Sequence, residues 1–309
     1  MRIWYGIKTN RREVTRIVQS LLKYGVLFVP EGDAARTELF RMDPMVGTLK
    51  SVFIADLQID NEIVLSPSQS AYIDWDNNKV FRIGLDQLPI DIRFPIASEQ
   101  KLSRIHAQLR FSHGSMQDEY PEQLIAASFL RGPETVLEIG GNIGRNSLVI
   151  ASSLHDPTRL LTLECDPISS AALTENRDQN PFPFRIECAA LSKRPLFQKG
   201  WQTSDVGDPA DGWTPIKTVT YTELVSSYNL RFDTLVLDCE GAFYFIVQDM
   251  PEVLTNIRMV IMENDYSDLR QYTYVANALT EHGLKCVYSK SLGNDSMVCA
   301  SNFYEVWTV

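Results

Sequence analysis

Long apolar runs are missing from this sequence, and no stretch approaches the ~20 consecutive apolar residues that a transmembrane helix needs. The first residues soon become charged and lack the apolar centre of a signal peptide. We therefore expect a cytoplasmic protein that does not insert into a membrane.

Cysteine is scarce, with five residues at wide spacing and no Cys-x-x-Cys pair. An odd number without close pairs argues against a disulfide framework and against a zinc ribbon. Cys165, Cys188 and Cys239 end runs that indicate buried strands. We expect reduced thiols in a protein core rather than a metal or redox site.

Basic residues are outnumbered, because 29 Lys and Arg face 39 Asp and Glu, for a formal charge of −10. An acidic surface repels phosphate backbones and anionic lipid headgroups, so no nucleic-acid partner is expected. Hydrophobic residues still make up 44% of the 309 residues. That is enough apolar material to bury a core without disulfides or structural metal ions. The length suggests two domains.

The first 95 residues contain short runs rich in β-branched and aromatic residues, separated by turn residues. Five such runs lie at 26–29, 49–57, 62–65, 71–75 and 79–83. Apolar spacing over residues 14–22 predicts one helix among them. The pattern predicts a small, mostly antiparallel β-rich accessory domain over 1–95. It would position a polymeric acceptor or mediate homo-oligomer formation.

The remaining residues, 96–309, alternate between strand and helix patterns after a connector over 96–117. A helix is predicted to start at an Asp118 N-cap and to end at Leu130. The strand and helix patterns that follow lie at 135–139, 146–154, 159–163, 169–179, 184–189, 222–228, 234–237, 242–254 and 259–262. Such alternation predicts an α/β fold with a Rossmann-like, mostly parallel, doubly wound sheet.

Ligands of such sheets bind at the carboxyl ends of the strands, so the residues after each strand are the candidate site. The first strand is followed by a glycine-rich turn made of Glu138, Gly140, Gly141, Asn142 and Gly144. The G-x-G-x-x-G dinucleotide fingerprint is absent, as is any Tyr-x-x-x-Lys pair. Glycines let a ligand approach the backbone closely, and the acid could bind an ammonium group.

The next two strands end in residues that suit a nucleoside. Glu164 follows the second strand, where an acid can accept hydrogen bonds from both ribose hydroxyls. Cys188 and Ala189 begin a run of small residues after the third strand that leaves room for an adenine ring. A loop over 199–215 contains Trp201 and Trp213, which would either stack on a sugar or pack over the sheet.

The glycine turn resembles the first motif of class I S-adenosylmethionine-dependent methyltransferases. Taken with four further segments, the C-terminal part resembles FkbM-type methyltransferases; the five segments are VLEIGGNIGRNS (136–147), TLECDP (162–167), ECAALS (187–192), VLDCEGA (236–242) and VIMEN (260–264). The resemblance implies S-adenosylmethionine as cofactor and a sugar or glycan hydroxyl as acceptor. The chain departs from the family at Glu138, where Asp or Asn is usual, and over 285–309, which matches no motif.

Acidic residues at the fourth and fifth strand ends suggest the acceptor side of the site. Asp238, Glu240 and Glu263 are the candidate catalytic residues, and Asp238 is also expected to contact the cofactor. Glu240 is the first candidate for the general base, followed by Asp265 and Asp238. Asp238, Glu263 and Asn264 could instead hold Mg²⁺, as in catechol O-methyltransferase. Otherwise Asp238 orders its loop and Glu263 caps a backbone turn.

These observations predict a class I O-methyltransferase acting on a sugar hydroxyl of a glycan or a glycosylated metabolite. Two alternatives stay open: a methyltransferase-like protein that binds a glycan or partner without catalysis, and an NAD-dependent sugar oxidoreductase. The missing dinucleotide fingerprint argues against the second. The intact segment over 238–241 argues against the first.

Overall fold

The computed structural model describes residues 1–23, 25–55, 62–84, 87–88, 90–292 and 297–309. Over these residues the chain forms two compact units, Met1–Ala97 and Ser98–Val309. That each unit folds independently, with a boundary between residues 95 and 96, stays a prediction. None of the described helices is long and apolar enough to cross a lipid bilayer.

The first unit is rich in antiparallel sheet. Its described elements are β1 (Arg2–Ile7), β2 (Asn10–Glu13), α1 (Thr15–Leu21), β3 (Val26–Val29), α2 (Asp33–Phe40), β4 (Ser51–Ala55), β5 (Glu62–Leu65), β6 (Ala71–Asp74) and β7 (Lys79–Phe81). They form two antiparallel sheets with strand orders β2-β1-β4-β5 and β3-β6-β7. The five predicted runs are β3 to β7. The last two residues of the run over 49–57 lie outside the described residues.

The sequence patterns do not predict β1, β2 or α2. Helix α2 escapes hydrophobic periodicity because one of its two buried residues is Arg36, which is charged. The fully buried guanidinium donates hydrogen bonds to four carbonyl oxygens, those of Pro30, Lys50, Leu65 and Gln69. A cation can be buried here because these acceptors replace its water shell.

The second unit is built around one large sheet. Its described strands are β8 (Val136–Ile139), β9 (Leu160–Leu163), β10 (Arg185–Glu187), β11 (Ala190–Leu191), β12 (Leu196–Lys199), β13 (Gln202–Ser204), β14 (Thr214–Ile216), β15 (Thr218–Val219), β16 (Thr234–Leu237), β17 (Met259–Glu263), β18 (Lys285–Lys290) and β19 (Tyr304–Thr308). Seven of them follow the order β10-β9-β8-β16-β17-β19-β18, in which β19 pairs antiparallel with both β17 and β18 and all the other neighbouring pairs are parallel.

Helices cover both faces of this sheet. They are α4 (Tyr120–Phe129), α5 (Arg145–Ser153), α6 (Pro167–Asp178), α7 (Tyr221–Tyr228), α8 (Phe243–Asp249) and α9 (Leu269–Glu281), while α3 (Ile90–His106) spans the boundary between the units. Every residue of β8, β9 and β16 is buried, as expected for strands packed on both faces. The predicted fold class, a Rossmann-like mostly parallel sheet preceded by a smaller β-rich unit, is confirmed.

Two expectations about local structure need correction, and the structure of one further segment was not predicted. Asp118 is not the N-cap of α4, because Glu119 occupies that position with a left-handed backbone and no capping side chain. The loop expected over 199–215 instead contains β13 and most of β14, which pair with β12 in a small antiparallel sheet. The unmatched tail over 285–309 forms β18 and β19 and completes the large sheet.

The order of strands determines where a ligand can bind. Strand β8 lies in the middle of the sheet. The next strands in the chain, β9 and β10, are added on one side of it, and the later strands β16 and β17 are added on the other side. A crevice opens where the direction reverses, outside the carboxyl ends of β8 and β16. The residues that follow these two strands are therefore the candidate functional residues.

Candidate active site

A cavity of about 220 Å³ lies at the carboxyl ends of β8, β9, β10 and β16. The last residues of β8 and β9 line it, together with residues that follow each of the four strands. From the predicted site the lining includes Gly140, Asn142, Glu164, Ala189, Asp238 and Glu240, joined by Glu119, Cys165, Ala190, Leu191, Cys239 and Trp201 among others. The structure thus brings together residues as far apart in the sequence as Glu119 and Glu240, which are separated by 121 positions.

The glycine turn after β8 connects three strands. The backbone amides of Gly140 and Gly141 both donate to the carbonyl oxygen of Leu163, each at 3.0 Å. Gly140 has a φ of +92°, and a Cβ there would lie 1.6 Å from the carbonyl oxygen of Asp238. Only glycine can occupy this position, because any side chain would push β8 and β16 apart.

Glu164 lies at the end of β9 and is 8% exposed. One carboxylate oxygen accepts the backbone N–H of Asn142 at 2.7 Å, and the other accepts that of Asp166 at 2.7 Å. These two bonds fix the orientation of a carboxylate that lines the cavity. Burial nevertheless raises its pKa above the ordinary value for glutamate.

Glu138 lies behind the glycine turn and does not line the cavity. It is 1% exposed, and its Oε2 accepts hydrogen bonds from the hydroxyls of Ser147 and Thr162. Burial raises its pKa to about 7, and its Oε1 has no hydrogen-bond partner. The direct ammonium contact expected for Glu138 is therefore replaced by a positioning role, in which it joins β8 to α5 and β9.

Glu119 is a cavity residue that the sequence did not reveal. Its Oε1 accepts hydrogen bonds from Asn142 Nδ2 at 2.9 Å and from the Arg145 guanidinium at 2.8 Å. The local sequence shows only an acid before a helix, which is typical of ordinary helix starts. Glu119 precedes β8 by seventeen residues, so no strand end in the sequence points to it. Only its tertiary contacts with Asn142 and Arg145 show that it belongs to the site.

Backbone strain is concentrated at this cavity. Seven described residues other than glycine have a positive φ, and three of them, Glu119, Asn142 and Glu240, line the cavity. Such conformations cost on the order of 1–3 kcal/mol and persist where the surrounding structure imposes them. Clustering of strained residues around one cavity is typical of a binding or catalytic site.

Acidic side chains meet beside the cavity. Asp238, Glu263 and Asp265 each place one carboxylate oxygen within 4.8 Å of the others. Burial, and then the charge of neighbouring acids, raises the pKa of Asp238 and of Glu263. Glu122 belongs to the same group, since its hydrogen bond to Glu263 also raises the Glu263 pKa. We name Glu122, Asp238, Glu263 and Asp265 the acid cluster.

Several predicted residues lie outside the cavity wall. Gly141 and Gly144 belong to the turn but do not line the cavity. Glu263 does not line it either, although one of its carboxylate oxygens lies within 4.8 Å of one of Asp238. Asn264 is fully buried and points elsewhere, donating its amide to the carbonyl oxygen of Asn302 at 2.6 Å. Its Oδ1 is buried without a hydrogen-bond partner, so the expectation that Asn264 binds a cation stays a prediction, and Asp265 joins Asp238 and Glu263 in the acid cluster.

The cysteines differ in part from expectation. All five are free thiols; Cys188 and Cys286 are exposed, Cys165 and Cys239 are partly buried, and Cys299 is buried. Core burial is therefore wrong for Cys188, which does not line the cavity. Cys239 and Cys165 do line it, and burial raises the pKa of each to about 12. Such thiols are protonated at neutral pH and are not nucleophiles.

Comparison with solved structures finds methyltransferases. The chain is similar to the ribosomal protein L11 methylase of Lactobacillus delbrueckii subsp. bulgaricus, with 13% identity, a TM-score of 0.41, and coverage of 64% of this chain and 81% of that one. It is also similar to the precorrin-6y C5,15-methyltransferase of Geobacter metallireducens GS-15, with 11% identity, a TM-score of 0.38, and coverage of 66% and 95%.

A third match is a candidate tRNA (m1A22) methyltransferase of Streptococcus pneumoniae in complex with S-adenosyl-L-methionine, with 12% identity, a TM-score of 0.36, and coverage of 61% and 72%. At this level of similarity these matches assign no reaction or substrate to the chain. No protein-family model and no curated protein matches it. The resemblance to FkbM-type methyltransferases therefore stays a prediction.

Proposed function

We propose that the chain is an S-adenosylmethionine-dependent O-methyltransferase that acts on a sugar hydroxyl of a glycan or a glycosylated metabolite. The charge of the cavity is the observation that supports this most. Its lining has four carboxyl groups, from Glu119, Glu164, Asp238 and Glu240, and no lysine, arginine or histidine among the described residues. Such a wall favours a ligand with positive charge and disfavours the pyrophosphate of a dinucleotide.

The cavity residues fit S-adenosylmethionine part by part. The Gly140 turn would admit the methionine portion close to the backbone, and Glu164 would accept the ribose hydroxyls. Ala189 and Leu191 offer a small apolar wall for adenine. Glu119 and Asp238 would face the cationic groups, in the role first expected of Glu138. When bound, the cofactor supplies a methyl group on a positively charged sulfur.

Asp238 and Glu240, which follow β16, would serve the acceptor. A sugar hydroxyl is a weak nucleophile, so a nearby base must take its proton as the methyl group is transferred. Glu240 is exposed and lines the cavity directly after Asp238, which makes its carboxylate the first candidate for that base. Asp238 would orient the hydroxyl. The sugar class itself rests on the resemblance to FkbM-type methyltransferases.

Calorimetric titration with S-adenosylhomocysteine tests the cofactor assignment, with NAD⁺ as the control ligand. We expect micromolar binding of the first and none of the second. Glu164→Ala should weaken binding by at least about tenfold, because a charged hydrogen bond is worth about 1.5–3 kcal/mol. Glu175→Ala, on the exposed side of α6, should bind as the unchanged protein does.

The other outcomes of this titration count either against the proposed function or against the role of Glu164. Binding of neither ligand would favour the glycan- or partner-binding protein without catalysis. Binding of NAD⁺ alone would overturn the interpretation of the turn at Gly140 and would favour the oxidoreductase. Equal affinity of Glu164→Ala and the unchanged protein would remove Glu164 from the cofactor site.

We also propose that the acid cluster binds a divalent cation, with Asp238, Glu263 and Asp265 as ligands. Oxygen ligands of this kind suit Mg²⁺, and the three carboxylates each place an oxygen within 4.8 Å of the others. The cation would polarise the acceptor hydroxyl. The competing account is that these carboxyls keep protons, which would also relieve their mutual repulsion.

Titration with MgCl₂ and MnCl₂ by calorimetry distinguishes the two accounts without relying on activity. We expect one ion to bind per chain, and we expect Asp265→Asn to abolish binding, because it removes one of three charged ligands. The control is Asp178→Asn at the exposed end of α6. No heat of binding with either metal would show that the cluster is neutralised by protons.

A further inference from the structure

A second cavity of about 200 Å³ lies next to the first and shares a wall with it. The shared residues are Leu191, Leu196, Thr203, Glu240, Ala242 and Ile246. Its own wall comes from the β12–β13 hairpin on one side and from α8 on the other. Because Glu240 lines both cavities, a molecule in the second one would meet the proposed base at the boundary with the first.

The charges of the second cavity are unbalanced. Its described lining has one cation, Arg194, and three acids, Asp205, Glu240 and Asp249. Arg194 is already engaged, donating to both carboxylate oxygens of Asp249 at 2.6 and 2.8 Å and to Asp205 at 3.3 Å. A bidentate pair of this kind satisfies both partners. The cavity therefore keeps a net negative charge and has no cation free to receive an anion.

The remaining lining suits a polar ring. Ser192, Thr203 and Ser204 add hydroxyl groups to the carboxylates, which together can accept and donate hydrogen bonds to several ligand hydroxyls. Phe245 lines the cavity and is 45% exposed, which is unusual for a phenyl ring. An exposed aromatic face beside polar groups can pack against the apolar C–H face of a sugar ring.

We propose that the second cavity is the acceptor subsite and that it selects sugars without negative charge, either neutral or amino-bearing. This inference rests on the proposed methyl transfer, since the acceptor must reach Glu240. Uronic acids, phosphorylated sugars and nucleotides are excluded, because a like charge placed against Asp205 and Glu240 costs binding free energy. The sequence resemblance provides no such distinction among sugars.

The test measures binding by saturation-transfer NMR with S-adenosylhomocysteine present. The probes are methyl hexosides of gluco, galacto and manno configuration, each as the neutral sugar, the 2-amino sugar, the uronate and the 6-phosphate. We expect neutral or amino forms of at least one configuration to bind, and each matching anionic form to bind at least about tenfold more weakly. Equal or tighter binding of the anions, or binding of no probe, would overturn the proposal.

Two variants locate the probes in the second cavity. Ser204→Trp should fill that cavity and abolish probe binding while leaving S-adenosylhomocysteine affinity unchanged, because Ser204 does not line the first cavity. Gln202→Trp, exposed on the same strand and outside both cavities, is the matched control. Asp205→Lys keeps the cavity open and should raise uronate binding at least about tenfold. Unchanged selectivity in Asp205→Lys would contradict the charge argument.

These readouts separate this inference from the proposed function. Sugar binding with no methyl transfer would leave the subsite standing and would count against catalysis. Methyl transfer to an anionic sugar would keep the enzyme and reject the subsite.

Discussion

Gly140→Ala is expected to abolish S-adenosylhomocysteine binding, with a loss of at least about a hundredfold in affinity. The added Cβ would lie 1.6 Å from the carbonyl oxygen of Asp238, and the residue would keep a φ of +92°. The backbone directly after β16 cannot rotate away as a flexible side chain can, so the turn itself must move. Because the turn also holds the Asn142 N–H against the Glu164 carboxylate, its displacement disrupts that hydrogen bond at the cavity wall. Calorimetry measures the loss.

Gly283→Ala is the control variant, because it adds a Cβ at a positive φ without any steric collision. Gly283 has a φ of +85°, and a Cβ there would meet no atom within 4 Å. It should therefore lose only the ~1–2 kcal/mol of stability that a left-handed conformation costs an L-residue. Circular dichroism should show that both variants keep the sheet. Normal ligand affinity in a folded Gly140→Ala protein would show that the turn does not contact the cofactor.

Much of the site could be predicted because it lies at strand ends. The strands β8, β9 and β16 are fully buried and consist mostly of apolar residues, so their ends are visible in the sequence. Parallel strands bring those ends to one edge of the sheet, which is why Gly140 and Glu164 could be assigned before any coordinates.

Side-chain direction determines which residues at the end of β17 lie closest to Asp238. Successive side chains of an extended segment point to opposite faces, so residues two apart share a face. Glu263 and Asp265 therefore meet Asp238 together, while Asn264 between them points toward Asn302. Period-two alternation applied to this segment adds Asp265 to the acids expected near Asp238.

Other parts could not be predicted because local patterns do not encode them. Glu119 contributes to the cavity only through contacts with Asn142 and Arg145, which are more than twenty residues away. The edge strand β18 is mostly exposed and has Lys285 and Lys290 at its two ends. Such a strand shows little hydrophobic alternation, since charged residues protect sheet edges from pairing with other chains.

Asp238→Asn is expected to remove methyl transfer while cofactor binding weakens by no more than about tenfold, the share of one charged contact to the cationic groups of the cofactor. The backbone carbonyl oxygen of Asp238 is the atom that a Cβ at position 140 would meet. The Asp238 backbone N–H donates to the carbonyl oxygen of Ile139 at 3.0 Å. Neither contact uses the side chain, so the turn should survive the substitution. An amide cannot take a proton or hold a cation as the carboxylate does. A loss of about 10²–10⁴ in rate follows if Asp238 acts on the acceptor proton.

The comparison with Glu240→Gln determines which carboxylate is the base. Both side chains line the cavity, but only Asp238 belongs to the acid cluster. If Glu240 takes the proton and Asp238 orients the acceptor, Glu240→Gln should lower kcat with little change in KM, whereas Asp238→Asn should also raise the acceptor KM. Asp211→Asn, in an exposed turn remote from both cavities, should change neither. Full transfer activity in both cavity variants would mean that the acidic wall binds ligands without taking part in chemistry.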